Sequence, residues 1–177
     1  MDIRLAHAED FRAIMDLYEE VSDAMVGTPY DCQWRRGGHP STDFVRGLIS
    51  SNGMLVGMVG NDVVAAVGID HDLGHDYGEL PWLVDAAPDR VAVLHLLVVV
   101  RQWRGKGLSR QLLRACLEHA RNNGMTSARL DATANNLPAI ELYKSEGFQI
   151  VGRGWQDVGP KDDPHVPFVV MERPLGQ

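Results

Sequence analysis

Gln102-Trp103-Arg104-Gly105-Lys106-Gly107 lies between the most apolar run of the chain and its best amphipathic helical stretch. That context gives the glycine pair physical meaning. Without side chains the backbone lets a phosphate approach, the first-turn N–H groups of a helix have no acceptors within the helix, and Arg104 or Lys106 adds positive charge. The chemistry on offer is anion binding. The same residues also describe a tight strand-to-helix turn carrying two solvated cations. Two nucleotide loops fit poorly, because a Walker loop needs four residues before its Gly-Lys-Ser or Gly-Lys-Thr and the dinucleotide fingerprint needs a third glycine.

A second group with chemical reach is His95, the one polar interruption of VAVLHLLVVV. An imidazole titrates near pH 6.5, which suits a base or a proton relay, and a core histidine with both nitrogens satisfied is the competing reading. His71 and His75, with Asp70, Asp72 and Asp76 beside them, superficially suggest metal ligation. Their spacing without a distant second ligand set favours a solvated loop, so no metal is expected. Tyr77 and Trp82 either line an acceptor pocket or anchor their loop, and Tyr30 and Trp34 are weaker candidates for an opposite wall. Cys116 falls on the apolar face of a helical stretch, where a thiol packs rather than reacts, and a disulfide with Cys32 is not expected.

The elements that must hold these groups follow from periodicity. Asp2 to Ala6 reads as a strand, followed by a helix with Phe11, Ile14, Met15, Tyr18 and Val21 on one face. After a stretch broken by Gly27, Pro29, Gly37, Gly38 and Pro40, Ser41 or Thr42 caps a short helix carrying Phe44, Val45, Leu48 and Ile49. Met54 to Val59 and Val63 to Ile69 form a hairpin about Gly60-Asn61-Asp62. His71 to Asp89 is a long surface loop, and Arg90 to Val100 is a central strand. The stripe Leu108, Leu112, Leu113, Cys116, Leu117, Ala120 predicts a helix ending before Gly124. Ser127 to Ala132 is a strand parallel to the central one, and Leu137 to Glu146 is a helix stopped by Gly147. Phe148 to Val151 and Phe168 to Met171 are strands able to pair antiparallel, separated by a turn-rich segment from Gly152 to Pro167.

Composition limits the partners. The 177 residues are 45% apolar and 23% charged, ordinary for one globular domain over 1–177. Seventeen basic residues against 24 acidic ones give a formal charge of -7, which argues against a nucleic-acid partner but not against a local anion site. No export leader or membrane span is legible, and reduced thiols would suit the cytoplasm, where the chain is expected.

The glycine loop, with LHLLVVV before it, resembles the acetyl-CoA-dependent N-acetyltransferase superfamily called GNAT, whose pattern Gln or Arg, two residues, Gly, one residue, Gly or Ala matches Gln102 to Gly107. A second match, in the right order, is Asn136-Leu137-Pro138-Ala139-Ile140-Glu141-Leu142-Tyr143-Lys144-Ser145-Glu146-Gly147-Phe148, similar to the family's Asn-x-x-Ala-x-x-x-Tyr-x-x-x-Gly-Phe. The resemblance implies an α/β GNAT-like acyl-CoA N-acyltransferase fold, a mixed central sheet flanked by helices. It implies acetyl-CoA as cosubstrate, its pyrophosphate on backbone N–H groups of Gln102, Trp103, Arg104, Gly105, Lys106, Gly107, Leu108 and Ser109. The pantetheine arm would pair with Leu97, Val98, Val99 and Val100, with Asn136, Ala139 and Tyr143 completing the cofactor contacts. Asn136 reads equally as a helix cap.

By the same resemblance Tyr143 is the group that donates to the departing thiolate. Asp131 stands where the branch acetylating ribosomal-protein N-termini carries a glutamate, and its shorter arm leaves it as a base through water, as an ammonium-orienting anion, or as a partner of Arg129. The base thus stays open among His95, Asp131, water and Glu79. The implied activity is direct acetyl transfer to a small-molecule or peptide amine, with a homodimer compatible. A noncatalytic acyl-CoA-binding regulator is the alternative.

Overall fold

The computed structural model describes residues 1–74, 79–159 and 165–176. Among them seven strands form a mixed β-sheet flanked by α-helices, the α/β architecture that the sequence leads one to expect. The chain divides into two compact units, the first being Met1–Val26, Trp34–Asp70 and Leu94–His119, the second Gly27–Gln33, His71–Val93 and Ala120–Gln177. No helix of the described residues is long and apolar enough to cross a membrane.

The first unit is built on β1 (Asp2–Leu5), β2 (Met54–Val59), β3 (Asp62–Asp70) and the Leu94-to-Val99 part of β4 (Val91–Val99), in that spatial order. β1 with β2, and β2 with β3, pair antiparallel. Val59 stands opposite Asp62, so the hairpin turns on Gly60 and Asn61, with Gly60 at φ +60°. Helices α1 (Phe11–Met25) and α2 (Thr42–Ser50) present apolar stripes to this unit, burying Ile14, Leu17, Tyr18 and Val21 from α1 and Val45 and Leu48 from α2. The Ser41 hydroxyl accepts from Phe44 N–H, which fixes where α2 starts. Leu48 reaches Gly68 so closely that a Cβ there would lie 2.6 Å from Leu48 Cδ1, which is why β3 carries a glycine at that point. α3 (Leu108–Asn122) buries Leu112, Leu113, Cys116 and Leu117, the stripe expected of it.

The second unit runs from the Val91-to-Val93 part of β4 to β5 (Ser127–Thr133), then β7 (His165–Pro174), then β6 (Gln149–Asp157). β4 and β5 are parallel, in register from Val91 opposite Ser127 to Val93 opposite Arg129. β5 and β6 both pair antiparallel with β7. α4 (Leu137–Ser145) opens with Pro138 in its first turn and gives way to Gly147 at φ +89°.

The last two strands correct the expectation of a turn-rich segment from Gly152 to Pro167. β6 continues to Asp157 and β7 begins at His165. Gly152 marks a register shift in the ladder, and a Cβ there would meet Leu80 Cδ2 at 2.5 Å. Gly154 pairs opposite Phe168. These glycines serve a bulge and a close approach rather than a chain reversal, and ladder hydrogen bonds outweigh their turn propensity.

Candidate active site

In the first unit the glycine loop follows a single turn of 3-10 helix, Arg101–Trp103. Gly105 and Gly107 sit at φ +73° and +76°, backbone that disfavours any L side chain, and a Cβ at either would meet nothing within 4 Å. A side chain at either position would project into open space. Gln111 N–H bonds the Gly107 carbonyl at 3.1 Å, which starts α3 there and leaves the preceding amides to other acceptors. Arg104 Nε donates to Val99 O at 3.1 Å, and Lys106 Nζ stands 4.1 Å from the centroid of the Trp103 ring. Both cations are tethered beside an exposed loop, with Gln102, Arg104, Gly105, Lys106 and Gly107 all solvent-facing. Leu108 is buried and Ser109 half-buried. Of the strand before the loop, Val98, Val99 and Val100 are buried and Leu97 is half-buried, and Val100 N–H goes to Val64 O at 3.0 Å.

β4 carries a feature that no residue type announces. Leu96 adopts φ +60°, a left-handed conformation rare for a branched side chain inside a strand and costing about 1–2 kcal/mol. The surroundings hold it there. Tyr18, 1% exposed, donates its hydroxyl to Leu96 O at 3.1 Å. Burial pushes the Tyr18 phenol up, so it remains a donor. Beside this kink His95 Nε2 lies 2.8 Å from Asp70 Oδ1 at the end of β3, and the His95 ring meets Phe44 edge-on at 5.5 Å. The two side chains keep 18% and 28% of their surface in solvent. Trp34 packs between Tyr18 and His39 at ring distances of 6.0 and 5.7 Å, while Tyr30 is exposed.

In the second unit Asp131 accepts a hydrogen bond from Gln156 Nε2 at 2.9 Å. It does not receive Arg129, whose Nε goes to Glu172 at 3.0 Å. Glu172 is fully buried and also accepts from Ser127 Oγ at 2.6 Å and from Leu83 N–H. The Arg129 guanidinium covers the Trp82 ring at 3.8 Å and donates to Val84 O, so Trp82 anchors its loop. Asn136 Oδ1 accepts from Ala139 N–H at 3.4 Å, the cap geometry expected of it. The Tyr143 ring is buried and meets Phe148 edge-on at 5.8 Å. Glu79 is exposed. His71 Nδ1 bonds Val91 O at 2.7 Å, and Asp72 Oδ1 accepts from Gly74 N–H. His75, Asp76 and Tyr77 lie outside the described residues.

Sequence reasoning named Asp70 only as an acidic neighbour of His71 and passed over Tyr18, Gln156 and Glu172 as polar partners. Each contact joins residues 25 to 78 positions apart. Strand register, and for Tyr18 the packing of α1 on the sheet, makes them neighbours, so no local pattern signals them.

The family profile described as "Acetyltransferase (GNAT) family" matches residues 8–148. Among curated proteins, "Mycothiol acetyltransferase" of Thermobifida fusca is 36% identical over 76 residues, 43% of this chain and 22% of that protein. "L-amino acid N-acetyltransferase AaaT" of Escherichia coli is 27% identical over 161 residues, 86% of this chain and 85% of that protein. The chain thus spans about a fifth of the first relative and most of the second. Among solved structures, the putative acetyltransferase yncA of Salmonella typhimurium with its cofactor acetyl-CoA superposes with a TM-score of 0.74 at 21% identity, covering 100% of this chain and 95% of that one.

Proposed function

The chain belongs to the acetyltransferase (GNAT) family, and from that premise we propose that it transfers the acetyl group of acetyl-CoA to a primary amine, both substrates being bound together when transfer occurs. The observation that carries this reading is the open cradle at Gly105 and Gly107, left-handed at both positions, solvent-facing and flanked by Arg104 and Lys106. A pyrophosphate needs free backbone N–H groups and a local positive field. Trp103 and Arg104 N–H are already given to Val100 O and Arg101 O, against the expectation for those two. The amides from Gly105 onward would therefore serve, with Arg104 and Lys106 supplying charge in a chain of net charge -7.

The chemistry then divides among named groups. The incoming ammonium gives one proton to His95, its nitrogen forms a bond to the thioester carbon, and the carbon–sulfur bond breaks. The attacking nitrogen loses its second proton as the amide forms, and the departing sulfur gains one. Tyr143 is the donor at the sulfur, and the nitrogen's second proton, passed through water, returns the tyrosine to its phenol form. The proton on His95 leaves to solvent. Asp131, held by Gln156, orients the ammonium as an anion. Cys116 takes no covalent part, because full burial pushes its thiol up and away from the thiolate form.

Two substrate classes are compatible with this chemistry, a free small-molecule amine and the amino group of a peptide. The family profile covers residues 8–148 and so runs through both compact units, which supports treating the chain as one functional domain. Initial rates measured while both substrates vary test the order of events. Intersecting double-reciprocal lines, with no acetylated protein by intact mass spectrometry, are expected. Parallel lines together with a kinetically competent acetyl-enzyme would replace the proposal with a two-step route.

A further inference from the structure

We propose that Asp70 is the positioning residue for His95, fixing the imidazole as the Nε2–H tautomer so that Nδ1 is the nitrogen that takes the proton from the amine. The inference rests on the reading that His95 is the base. Its own content is which nitrogen reacts and what decides it.

The geometry is specific. Asp70 Oδ1 stands 2.8 Å from His95 Nε2. Asp70 terminates β3 and His95 lies in β4, so their separation is set by the strands and not by two mobile side chains. An ionised carboxylate only accepts, so the hydrogen between them belongs to Nε2 in both the neutral and the charged ring. In the neutral ring the lone pair must then be on Nδ1. Among the described residues Nδ1 takes no hydrogen-bond partner, while the side chain retains 18% of its surface in solvent. A histidine serving only the core would have both nitrogens satisfied. Here one nitrogen is committed to an acid and the other is left for a ligand.

The ring is also held in orientation. Phe44 stands against it at 5.5 Å with the planes at 85°, and the left-handed Leu96 that follows is locked by the Tyr18 hydroxyl. Asp70 contributes a second effect. As His95 takes the proton from the ammonium it becomes an imidazolium beside a carboxylate, and that pair stabilises the charge developing in the transition state.

Long-range nitrogen–proton correlation NMR on uniformly nitrogen-15-labelled protein reads the tautomer directly. The seven histidines are distinguished by the loss of one signal in His95→Gln. The wild-type His95 should show Nε2 protonated and Nδ1 bare at a pH where the ring is neutral. In Asp70→Asn the carboxamide can donate to Nε2, and the proton should move to Nδ1. Turnover should then fall roughly 10- to 1000-fold, with the KM for the amine and the binding of acetyl-CoA changed less than about 3-fold. Asp70→Glu, which keeps a carboxylate, should restore the wild-type tautomer and part of the turnover. A wild-type Nδ1–H tautomer would overturn the proposal whatever the enzyme does. So would an Asp70→Asn protein whose tautomer reverses while turnover stays at the wild-type level. Absence of acetyl transfer by the wild type would instead remove the reading on which the catalytic half rests, and the tautomer result would still decide the structural half.

Discussion

Replacing Gly107 by alanine separates two jobs that the loop is asked to do. Gly107 has φ +76°, and a Cβ there would touch nothing within 4 Å. The folding cost is therefore backbone strain without collision, about 1–2 kcal/mol for a non-glycine residue in the left-handed region. Gly60 in the hairpin between β2 and β3 supplies a matched control, with φ +60° and an equally empty surround. Gly60→Ala and Gly107→Ala should lower the urea midpoint by similar amounts. They should part company in ligand binding. A methyl group at position 107 stands on the surface a pyrophosphate would approach, so affinity for acetyl-CoA should fall at least 10-fold, or about 1.4 kcal/mol, by calorimetry. Gly60→Ala should bind as the wild type does. If Gly107→Ala shows the stability loss of the control and unchanged binding, the glycine serves only the turn and the cradle argument is refuted.

Three further outcomes follow from named contacts. Tyr143→Phe keeps the ring that packs on Phe148, so the protein should fold and bind acetyl-CoA while turnover drops roughly 10- to 1000-fold in initial-rate assays. Near-wild-type turnover with chemistry rate-limiting would remove the tyrosine from the reaction. Cys116→Ser should retain substantial turnover and show no acetylated intermediate by intact mass spectrometry. It should lose about 1–3 kcal/mol of stability, since a hydroxyl replaces a fully buried thiol. Asp10 is paired with Arg4 at 2.6 and 2.8 Å and accepts from His7 N–H, and the Arg4 hydrogen bonds chiefly hold its carboxyl below the usual range against the opposing effect of burial. A depressed folded-state value stabilises the fold above the ordinary carboxylate range, near pH 4, and that contribution is lost as pH falls through the lower value. The Tm of Asp10→Asn should therefore decline less steeply than the wild type's as the pH is lowered through and below 4, and superimposable slopes would contradict the pairing.

What could be read in advance was whatever repeats locally. The α3 stripe is fixed by the spacing of Leu108 through Ala120, and the hairpin at Gly60 by a turn between two apolar runs. The glycine loop was legible because its residue types and its place between strand and helix agree. The kink at Leu96 was not, because leucine favours ordinary strand geometry and only the tertiary bond from Tyr18 holds the left-handed turn. The ends of β6 and β7 were obscured by glycines whose reasons are a bulge and the side chain of Leu80. Asp131 looked like a partner for Arg129 two residues away on the same strand face, yet the β5–β7 register sets Arg129 directly opposite Glu172, which takes its guanidinium, while Gln156 of β6 donates to Asp131. The acid that serves His95 was in view at position 70 but was read with the wrong neighbour, since the register of β3 and β4 is set by the fold.

The central claim is that this chain moves acetyl from acetyl-CoA to an amine. Incubating the purified protein with acetyl-CoA and a mixed panel of small amines, polyamines, amino acids and N-terminal peptides tests it in one measurement. Free thiol is followed by colour and acetylated products by mass spectrometry. The account predicts thiol release equal, mole for mole, to one class of N-acetylated product, with neither formed when the protein is omitted. Tight binding of acetyl-CoA with no acetylated amine anywhere in the panel would contradict it and leave a protein that holds the cofactor without using it.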